Sequence, residues 1–173
     1  MKAACFPTGD ESVARDERAA LAHRFAAYDG RVIASRATAA RETAAWITTA
    51  FDTDQGFDDI DYGRWRGHDI GAIAAREPAG VAAWLSDVHA RPHGGESIAM
   101  LAGRVAKALE RLARDAYSER CTVVTHAIVV KAALAHARAE SLASMLMMDL
   151  APLSSTSLGY DRLHNAWTVY ETS

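Results

Sequence analysis

The stretch Cys121–Thr125 (CTVVT) is followed at once by His126 and by a helical pattern that runs to about Ala137. Its short run of apolar and β-branched residues is typical of a strand buried on both faces. A similar junction occurs where Arg31–Ser35 (RVIAS) precedes a helical pattern over Thr38–Ala50. Strands that alternate with helices favour a mostly parallel sheet. The sequence therefore predicts an α/β fold with three layers, in which helices cover both faces of a mostly parallel central sheet.

The alternation continues on both sides of these junctions. Lys2–Phe6 is an apolar run closed by Pro7-Thr8-Gly9, which predicts a first strand that ends in a turn. Because no linker or repeat interrupts the pattern, residues 1–173 are predicted to form a single domain. The other predicted elements are helices over 10–28, 68–76, 78–87 and 142–148, a strand over 57–61, a long amphipathic helix from Glu96, and a hairpin of Thr156–Tyr160 with Ala166–Tyr170.

The composition is that of an ordinary globular protein. Half of the 173 residues are apolar, 24% are charged, and the formal net charge is −3. A net negative chain has no basic field to attract nucleic acid or an anionic membrane. No apolar stretch reaches the roughly 20 residues that cross a bilayer. We therefore expect a cytoplasmic protein with no nucleic-acid or membrane partner, and a homodimer is left open.

Cysteine and histidine form no recognisable reactive or metal-binding motif. Cys5 and Cys121 lie in strand-like apolar runs, which predicts small buried thiols in a reducing compartment. His68, His89 and His93 are close in sequence, but their spacing matches no metal site. The sequence thus predicts no metal and no cofactor.

Four segments, in this order, resemble motifs of one known family. Residues 31–44 resemble the family's "SSPLxRAxQTA" segment, and Asp58–Gly67 (DDIDYGRWRG) resembles "xEIDFGxWEG". His93–Ser97 (HGGES) resembles "PGGES", and Val123–His126 (VVTH) resembles "VVSHG". The chain is thereby similar over nearly its whole length to the histidine phosphatase superfamily, which implies the phosphoglycerate mutase-like form of the α/β fold.

The resemblance also implies which chemistry to look for. In this family an imidazole of an "RHG" motif attacks phosphorus, two arginines and a second histidine hold the phosphoryl oxygens, and a carboxyl group protonates the leaving oxygen. Here Pro7-Thr8-Gly9 stands where "RHG" is expected, and Ala39 stands at the second arginine. Losing a single such donor costs a factor of about 100 to 1,000 in rate. A degenerate active site without phosphohistidine chemistry is therefore expected.

The pocket residues that the resemblance retains are Asp59, at the general acid, and His126, at the second histidine. With Thr8 they form the predicted catalytic set, in a vestigial or repurposed role. Each also has a simpler, structural interpretation. His126 could be a histidine without a present function that hydrogen-bonds to neighbouring backbone. Thr8 could be a turn residue, and Asp59 a loop carboxylate that caps a turn. Asp58 and Asp61 lie close enough in sequence to compete with Asp59 for its role.

Four more residues are predicted to border a bound ligand, namely Gly9, Arg36, Ala39 and Glu96. Arg36 lies in the loop that lost its arginine and could compensate for it, although a solvated surface arginine is the simpler interpretation. Glu96 begins a helix, where the helix dipole alone favours a carboxylate. Trp65 is expected to pack inside the protein and not to stack on a substrate.

Three functions remain open at this stage. The first is a repurposed pocket for a small-molecule ligand, with acid–base chemistry at Asp59 and His126. The second is a pseudophosphatase that binds a ligand or a partner protein without catalysis. The third is a phosphatase with a rebuilt active site that uses Arg36 with Thr8 or His126.

Overall fold

The central sheet consists of three parallel strands in the order β2-β1-β3. They are β1 (Arg31–Ala34), β2 (Asp52–Thr53) and β3 (Cys121–Val124). Ile33 of β1 lies opposite Asp52 on one side and Val123 on the other. The computed structural model describes residues 4–13, 16–115 and 120–172. Within these residues, the two predicted strand–helix junctions are confirmed.

Helices cover both faces of this sheet. Val32 and Ala34 of β1 pack against Ala44 on one face, while Ile33 belongs to the main core on the other, with Val105 and Val129. Alternate residues of one strand thus bury against different helices, as the period of two requires. The predicted α/β fold with a parallel central sheet is confirmed. The helices are α1 (Arg18–Arg24), α2 (Thr38–Ile47), α3 (Ile70–Arg76), α4 (Pro78–Ser86), α5 (Ile98–Arg114), α6 (Ala127–Ala137) and α7 (Leu142–Met147).

The long helix α5 supplies most of one layer. Ser97 caps it by accepting the backbone N–H of Met100 at 3.2 Å, so the helix begins two residues after the predicted Glu96. Its apolar stripe, which includes Leu101 and Val105, is fully buried. Outside this stripe, Arg104 and Arg111 bind the loop that follows β2.

The C-terminal hairpin is confirmed as an antiparallel pair, β4 (Thr156–Asp161) with β5 (Ala166–Thr172). It forms a two-stranded sheet of its own. In the part of the chain that the structure describes, no pairing connects it to β3.

The predicted first strand over Lys2–Phe6 is not part of the central sheet, so this prediction is wrong for the residues that the structure describes. Cys5 instead makes an antiparallel bridge to Asp69, and the backbone N–H of Phe6 donates to the carbonyl of His68 at 2.9 Å. The phenyl ring of Phe6 packs with Trp65 and Ile73 in a small separate core. Burial of that ring draws the segment away from the sheet.

Two other elements differ from the prediction. The helix expected over 10–28 is reduced to the seven residues of α1, and residues 14 and 15 lie outside the described part. The strand expected over 57–61 is absent, because Gln55–Phe57 form a 3-10 turn whose Gly56 N–H is accepted by Asp54 at 2.7 Å. The neighbouring strand is β2, just before that turn.

The cysteines are more accessible than predicted. Cys5 is exposed and Cys121 is half-buried. All four residues of β3 are only half-buried, whereas the sequence predicts a strand buried on both faces. None of the helices in the described ranges is long and apolar enough to cross a membrane.

Candidate functional site

A cavity of about 820 Å³ lies beyond the ends of β1 and β2. Its wall is formed by residues 7–10, 36–37, 55, 58–61, 66, 91 and 94–96 and by the first turns of α5. Ligands of α/β proteins bind at the carboxyl ends of parallel strands, because loops from several strands converge there. This cavity is therefore the candidate functional site.

His126 is held at the start of α6, directly after β3. Its backbone is extended at the N-cap position of the helix. Its Nε2 atom lies 2.7 Å from the hydroxyl of Ser35, which is fully buried at the end of β1. The same hydroxyl oxygen accepts the backbone N–H of Ala37 at 3.2 Å. The imidazole ring is thus oriented from behind by a serine that follows the neighbouring strand.

Asp59 faces the other nitrogen of this ring. Its Oδ2 atom lies 3.6 Å from Nδ1 of His126, and its Oδ1 atom accepts the backbone N–H of Ile60 at 2.8 Å. Burial raises the pKa of Asp59 above its ordinary value, and the negative charge of Glu11 adds to this rise. His126 and the Ile60 N–H act in the opposite direction, because both stabilise the ionised carboxylate.

The two carboxylates that could have replaced Asp59 are engaged elsewhere. Asp58 accepts the backbone N–H of Arg36 at 2.7 Å and its guanidinium Nε at 2.6 Å. Asp61 accepts from Arg66 at 2.8 Å. Asp59 is therefore the carboxylate of this loop that lies beside His126, and Arg36 is neutralised by a carboxylate of its own.

Arg104 holds the loop that carries Asp59. Its guanidinium donates to both carboxylate oxygens of Glu96, at 2.9 and 2.7 Å, and to the carbonyls of residues 55, 56, 58 and 59 at 3.0 to 3.3 Å. The ion pair is mostly buried, with 24% of the Arg104 side chain and 14% of the Glu96 side chain exposed. Glu96 borders the cavity as predicted, but its carboxylate serves to position Arg104.

The N-terminal turn reaches the cavity but holds a carboxylate of its own. Glu11 accepts the backbone N–H and the hydroxyl of Thr8 at 2.7 and 2.9 Å, and the N–H of Gly9 at 2.9 Å. These hydrogen bonds lower the pKa of Glu11 to about 2. Gly9 has φ +92°, a conformation that side chains disfavour, and its carbonyl accepts the N–H of Thr38 at the start of α2. The structure describes no contact between Thr8 and His126.

Ala39 lies apart from this group. It is in the first turn of α2, it is not among the residues that line the cavity, and its carbonyl accepts the hydroxyl of Thr43 at 2.8 Å. The cation that does face the cavity freely is Arg91. Among the described residues, no carboxylate lies within ion-pair distance of it, and its polar contacts are the Gly94 carbonyl at 3.5 Å and the Met100 sulfur at 3.7 Å.

Three residues that shape the site were not predicted as site residues. Ser35 was assigned to a strand, although its place immediately after the last buried residue of β1 is the signal that could have placed it at the site. Glu11 and Arg104 carry no such signal, because their roles depend on a turn and on a loop that only the folded chain brings together. In the sequence alone, Glu11 is only a carboxylate three residues after Thr8, and Arg104 is only one of several arginines in a helix.

The remaining aromatic and histidine residues behave as structural groups. Trp65 is fully buried and donates its indole N–H to Glu77 at 3.1 Å, so the expectation that it packs inside is confirmed. His93 is also buried, in a loop, and its ring centre lies 4.9 Å from that of Trp65. The described residues include no group of three or more histidine, cysteine or acidic side chains that could hold a metal ion.

The arrangement supports proton transfer at Asp59. The order Ser35, His126, Asp59 is reminiscent of a hydrolase triad, but Ser35 has no exposed surface and cannot reach a ligand. Asp59 lines the cavity, whereas His126 is not among its lining residues. Asp59 is thus the group that can meet a ligand, and His126 stabilises its charged form.

A model of the histidine phosphatase superfamily, branch 1, matches residues 12–172. Among curated proteins, the bifunctional protein Rv2228c of Mycobacterium tuberculosis is 29% identical over 147 residues, which is 82% of this chain and 40% of the relative. The chain thus spans less than half of the length of that relative.

Several solved structures share the fold at low sequence identity. One is a mycobacterial glucosyl-3-phosphoglycerate phosphatase, Rv2419c, in complex with VO3, with a TM-score of 0.81 at 20% identity. The superposed part covers 96% of this chain and 89% of the phosphatase chain. An alpha-ribazole phosphatase from Shigella flexneri has a TM-score of 0.82 at 18% identity over 97% and 88%. A phosphoserine phosphatase mutant from Entamoeba histolytica, in complex with phosphoserine, has a TM-score of 0.83 at 16% identity over 97% and 87%.

Proposed function

The chain belongs to branch 1 of the histidine phosphatase superfamily, and we propose that within this family its 173 residues form a small-molecule pocket with acid–base chemistry at Asp59 but no phosphohistidine apparatus. The observation that carries the proposal is the half-buried Asp59 carboxyl, beside His126, in the wall of the large cavity. A carboxyl whose pKa is raised by burial can hold a proton nearer to neutral pH and give it to a ligand oxygen.

The charges around the cavity argue against a phosphate ester as the ligand. Phosphoryl groups are bound by several free cations or N–H donors that converge on one point. Here Arg36, Arg66 and Arg104 are engaged by carboxylates of Asp58, Asp61 and Glu96. The N–H groups of residues 8 and 9 are occupied by Glu11. Arg91 remains as a single cation, which favours a polar ligand with one anionic group.

The histidines support the same conclusion about mechanism. A phosphohistidine needs an unprotonated imidazole with an exposed nitrogen aimed at phosphorus. Nε2 of His126 is turned toward the buried Ser35, and His93 lies inside the aromatic core. No described histidine lines the cavity.

Phosphate release is the first experiment. We expect the purified chain to release phosphate from p-nitrophenyl phosphate, phosphoserine and 3-phosphoglycerate at the rate of the buffer alone. Turnover that is abolished by H126A and retained by H136A, a histidine in the last turn of α6, would contradict the proposal and support a phosphatase with a rebuilt site.

Ligand binding is the second experiment. Singly charged carboxylates and sulfonates are screened by thermal shift against the wild type, D59N and R91Q. We expect binders whose affinity falls at least fivefold in R91Q and whose pH dependence disappears in D59N. Binders that are insensitive to both substitutions would favour the pseudophosphatase interpretation, with recognition at another surface.

Other expectations from the sequence continue as proposals. These are a single domain over residues 1–173, a cytoplasmic location, a small-molecule ligand without a nucleic-acid partner, and a homodimer as one possible assembly. The net charge of −3 supports the absence of a nucleic-acid partner. Size-exclusion chromatography with light scattering tests the assembly.

A further inference from the structure

Most of the charged side chains that line the cavity at Asp59 are already paired with an opposite charge. Three of these pairs join an arginine to a carboxylate within the wall, namely Arg36 with Asp58 at 2.6 Å, Arg66 with Asp61 at 2.8 Å and Arg104 with Glu96 at 2.7 Å. Asp59 itself faces His126. The paired groups therefore offer a ligand little uncompensated charge.

Among the described residues that line the cavity, Asp10 and Arg91 have opposite charges and no such partner. Both residues are exposed. The carboxylate of Asp10 also accepts no hydrogen bond within the described ranges, and the adjacent Glu11 takes the N–H groups of Thr8 and Gly9 instead. A ligand can therefore reach one free carboxylate and one free guanidinium in the same cavity.

The backbone that carries each of these two charges is held by hydrogen bonds. The N–H of Asp10 donates to the hydroxyl of Thr8 at 3.3 Å. The carbonyl of Arg91 accepts the N–H of Gly94 at 2.9 Å, and the buried ring of His93 accepts the next backbone N–H at 3.0 Å. Because groups on an ordered backbone lose less conformational freedom when they bind, this arrangement favours recognition of a ligand by both charges.

We propose that this cavity binds a zwitterion, a small molecule with an ammonium group at one end and a carboxylate at the other. The carboxylate pairs with Arg91, and the ammonium group pairs with Asp10. This inference rests on the proposed function, because it keeps the anionic group that Arg91 is proposed to bind and adds a second charge to the ligand. A ligand of this kind is neutral overall, so it compensates both free charges and adds no net charge to the cavity.

Ligands with a single charge match this cavity less well. A simple carboxylate meets the repulsion of Asp10, and a simple amine meets the repulsion of Arg91, because like charges in one cavity disfavour binding. The volume of about 820 Å³ lies within the range of small-molecule sites and leaves room for a carbon chain between the two ends. Ile60 and Met100 line the same wall and supply apolar surface for that chain.

Titration of the ¹⁵N-labelled protein, followed by amide chemical shifts, tests the proposal near pH 7, where amines and carboxylates are both charged. The probes are ω-amino carboxylates with three, five and seven methylene groups, each compared with the matching carboxylate and the matching amine. We expect at least one amino carboxylate to bind about threefold more tightly than its carboxylate, as one additional exposed ion pair allows. It should shift the amides of Asp10 and Gly94, whereas the carboxylate should shift mainly that of Gly94.

Two variants assign the two ends of the ligand. D10N should abolish the advantage of the amino carboxylate, and it should leave the simple carboxylate bound as tightly as before or slightly more tightly, because a repelling charge is lost. R91Q should weaken both ligands. The matched control is D16N, which removes an equal charge from an exposed carboxylate outside the cavity and should preserve the advantage of the amino carboxylate.

Two outcomes would overturn this inference and leave the proposed function intact. The first is that R91Q weakens the simple carboxylates while no amino carboxylate binds more tightly than its match. The second is an equal loss of the advantage in D10N and D16N, which would indicate an effect of the protein's net charge without a contact at Asp10. Failure of every probe to shift an amide of the cavity wall would overturn this inference and the proposed function together.

Discussion

The Oδ2 atom of Asp59 lies 3.6 Å from Nδ1 of His126, across the junction between a loop and the start of α6. This separation is longer than a direct hydrogen bond. It is short enough for the charge of either group, the carboxylate or the imidazole, to act on the other. Asp59 approaches from a loop held by Arg104, and His126 from a helix N-terminus held by Ser35. Two independent supports thus set the distance between them.

The first prediction concerns stability and pH at Asp59. Its ordinary pKa is 3.8, and burial raises the pKa in the folded state. The folded protein therefore binds this proton more tightly than the unfolded chain, which favours folding below about pH 3.8 and is lost as the pH rises through the folded pKa. We expect D59N to be more stable than the wild type by roughly 1 kcal/mol at pH 7, and equally stable at pH 3.5.

Urea denaturation at the two pH values measures this difference. The matched control is D58N, one residue away, which removes a partner of the exposed Arg36. Loss of a surface ion pair lowers stability by up to about 1 kcal/mol at pH 7, so the control should move in the opposite direction. A D59N variant less stable than the wild type at pH 7 would show that the carboxylate is stabilised, not penalised, by its surroundings.

The sequence was sufficient for the fold but not for the position of every strand. The RVIAS and CTVVT runs are apolar, β-branched and followed by helical patterns, so β1 and β3 were predictable from local signals. Lys2–Phe6 carries a similar signal, yet its described residues 4–6 pair with residues 67–70, and Phe6 packs on Trp65. The strand or loop with which an apolar segment pairs depends on long-range contacts. The local pattern of residues does not specify those contacts.

The sequence predicted the Asp59 and His126 pair of the candidate site. It did not predict the residues that hold this pair in position. Asp59 and His126 were identified through their motifs, and the structure brings them together. Ala39 was taken from a motif position as well, but it does not line the cavity. Arg104 could not be found in advance, because its acceptors are backbone carbonyls of a loop that has no sequence signature.

The second prediction concerns Arg104. R104Q leaves the Glu96 carboxylate and four loop carbonyls without their shared donor, and unsatisfied, mostly buried groups of this kind are costly. We expect a loss of about 2 kcal/mol in the free energy of unfolding. R114Q, on the same helix, removes only an exposed pair with Glu110 and should change stability by less than about 0.5 kcal/mol. Equal losses in both variants would contradict the anchoring role.

The third prediction concerns the proton on His126. The Ser35 hydroxyl can donate its hydrogen to Nε2 of the ring while its oxygen accepts the N–H of Ala37. We therefore expect the neutral ring to carry its proton on Nδ1, toward Asp59. Long-range ¹⁵N–¹H NMR of the imidazole identifies this form directly, and S35A should convert it to a mixture of both forms. S97A, which removes a helix cap elsewhere, should lower stability by about 1 kcal/mol without altering the imidazole signals.

The fourth prediction concerns the turn that holds Glu11. Its pKa is lowered from 4.5 to about 2 because the ionised carboxylate accepts the N–H groups of Thr8 and Gly9. A lowered folded pKa contributes stability that is present above pH 4.5 and is lost as the pH falls through about 2. We expect the amide proton shifts of Thr8 and Gly9 to titrate together with a midpoint near 2.

In E11Q this titration should vanish, and the N–H groups, freed from a charged acceptor, should bind added sulfate more tightly than in the wild type. A midpoint near 4.5 would mean that Glu11 does not hold the turn, and the two N–H groups would then be open to an anionic ligand in the native protein.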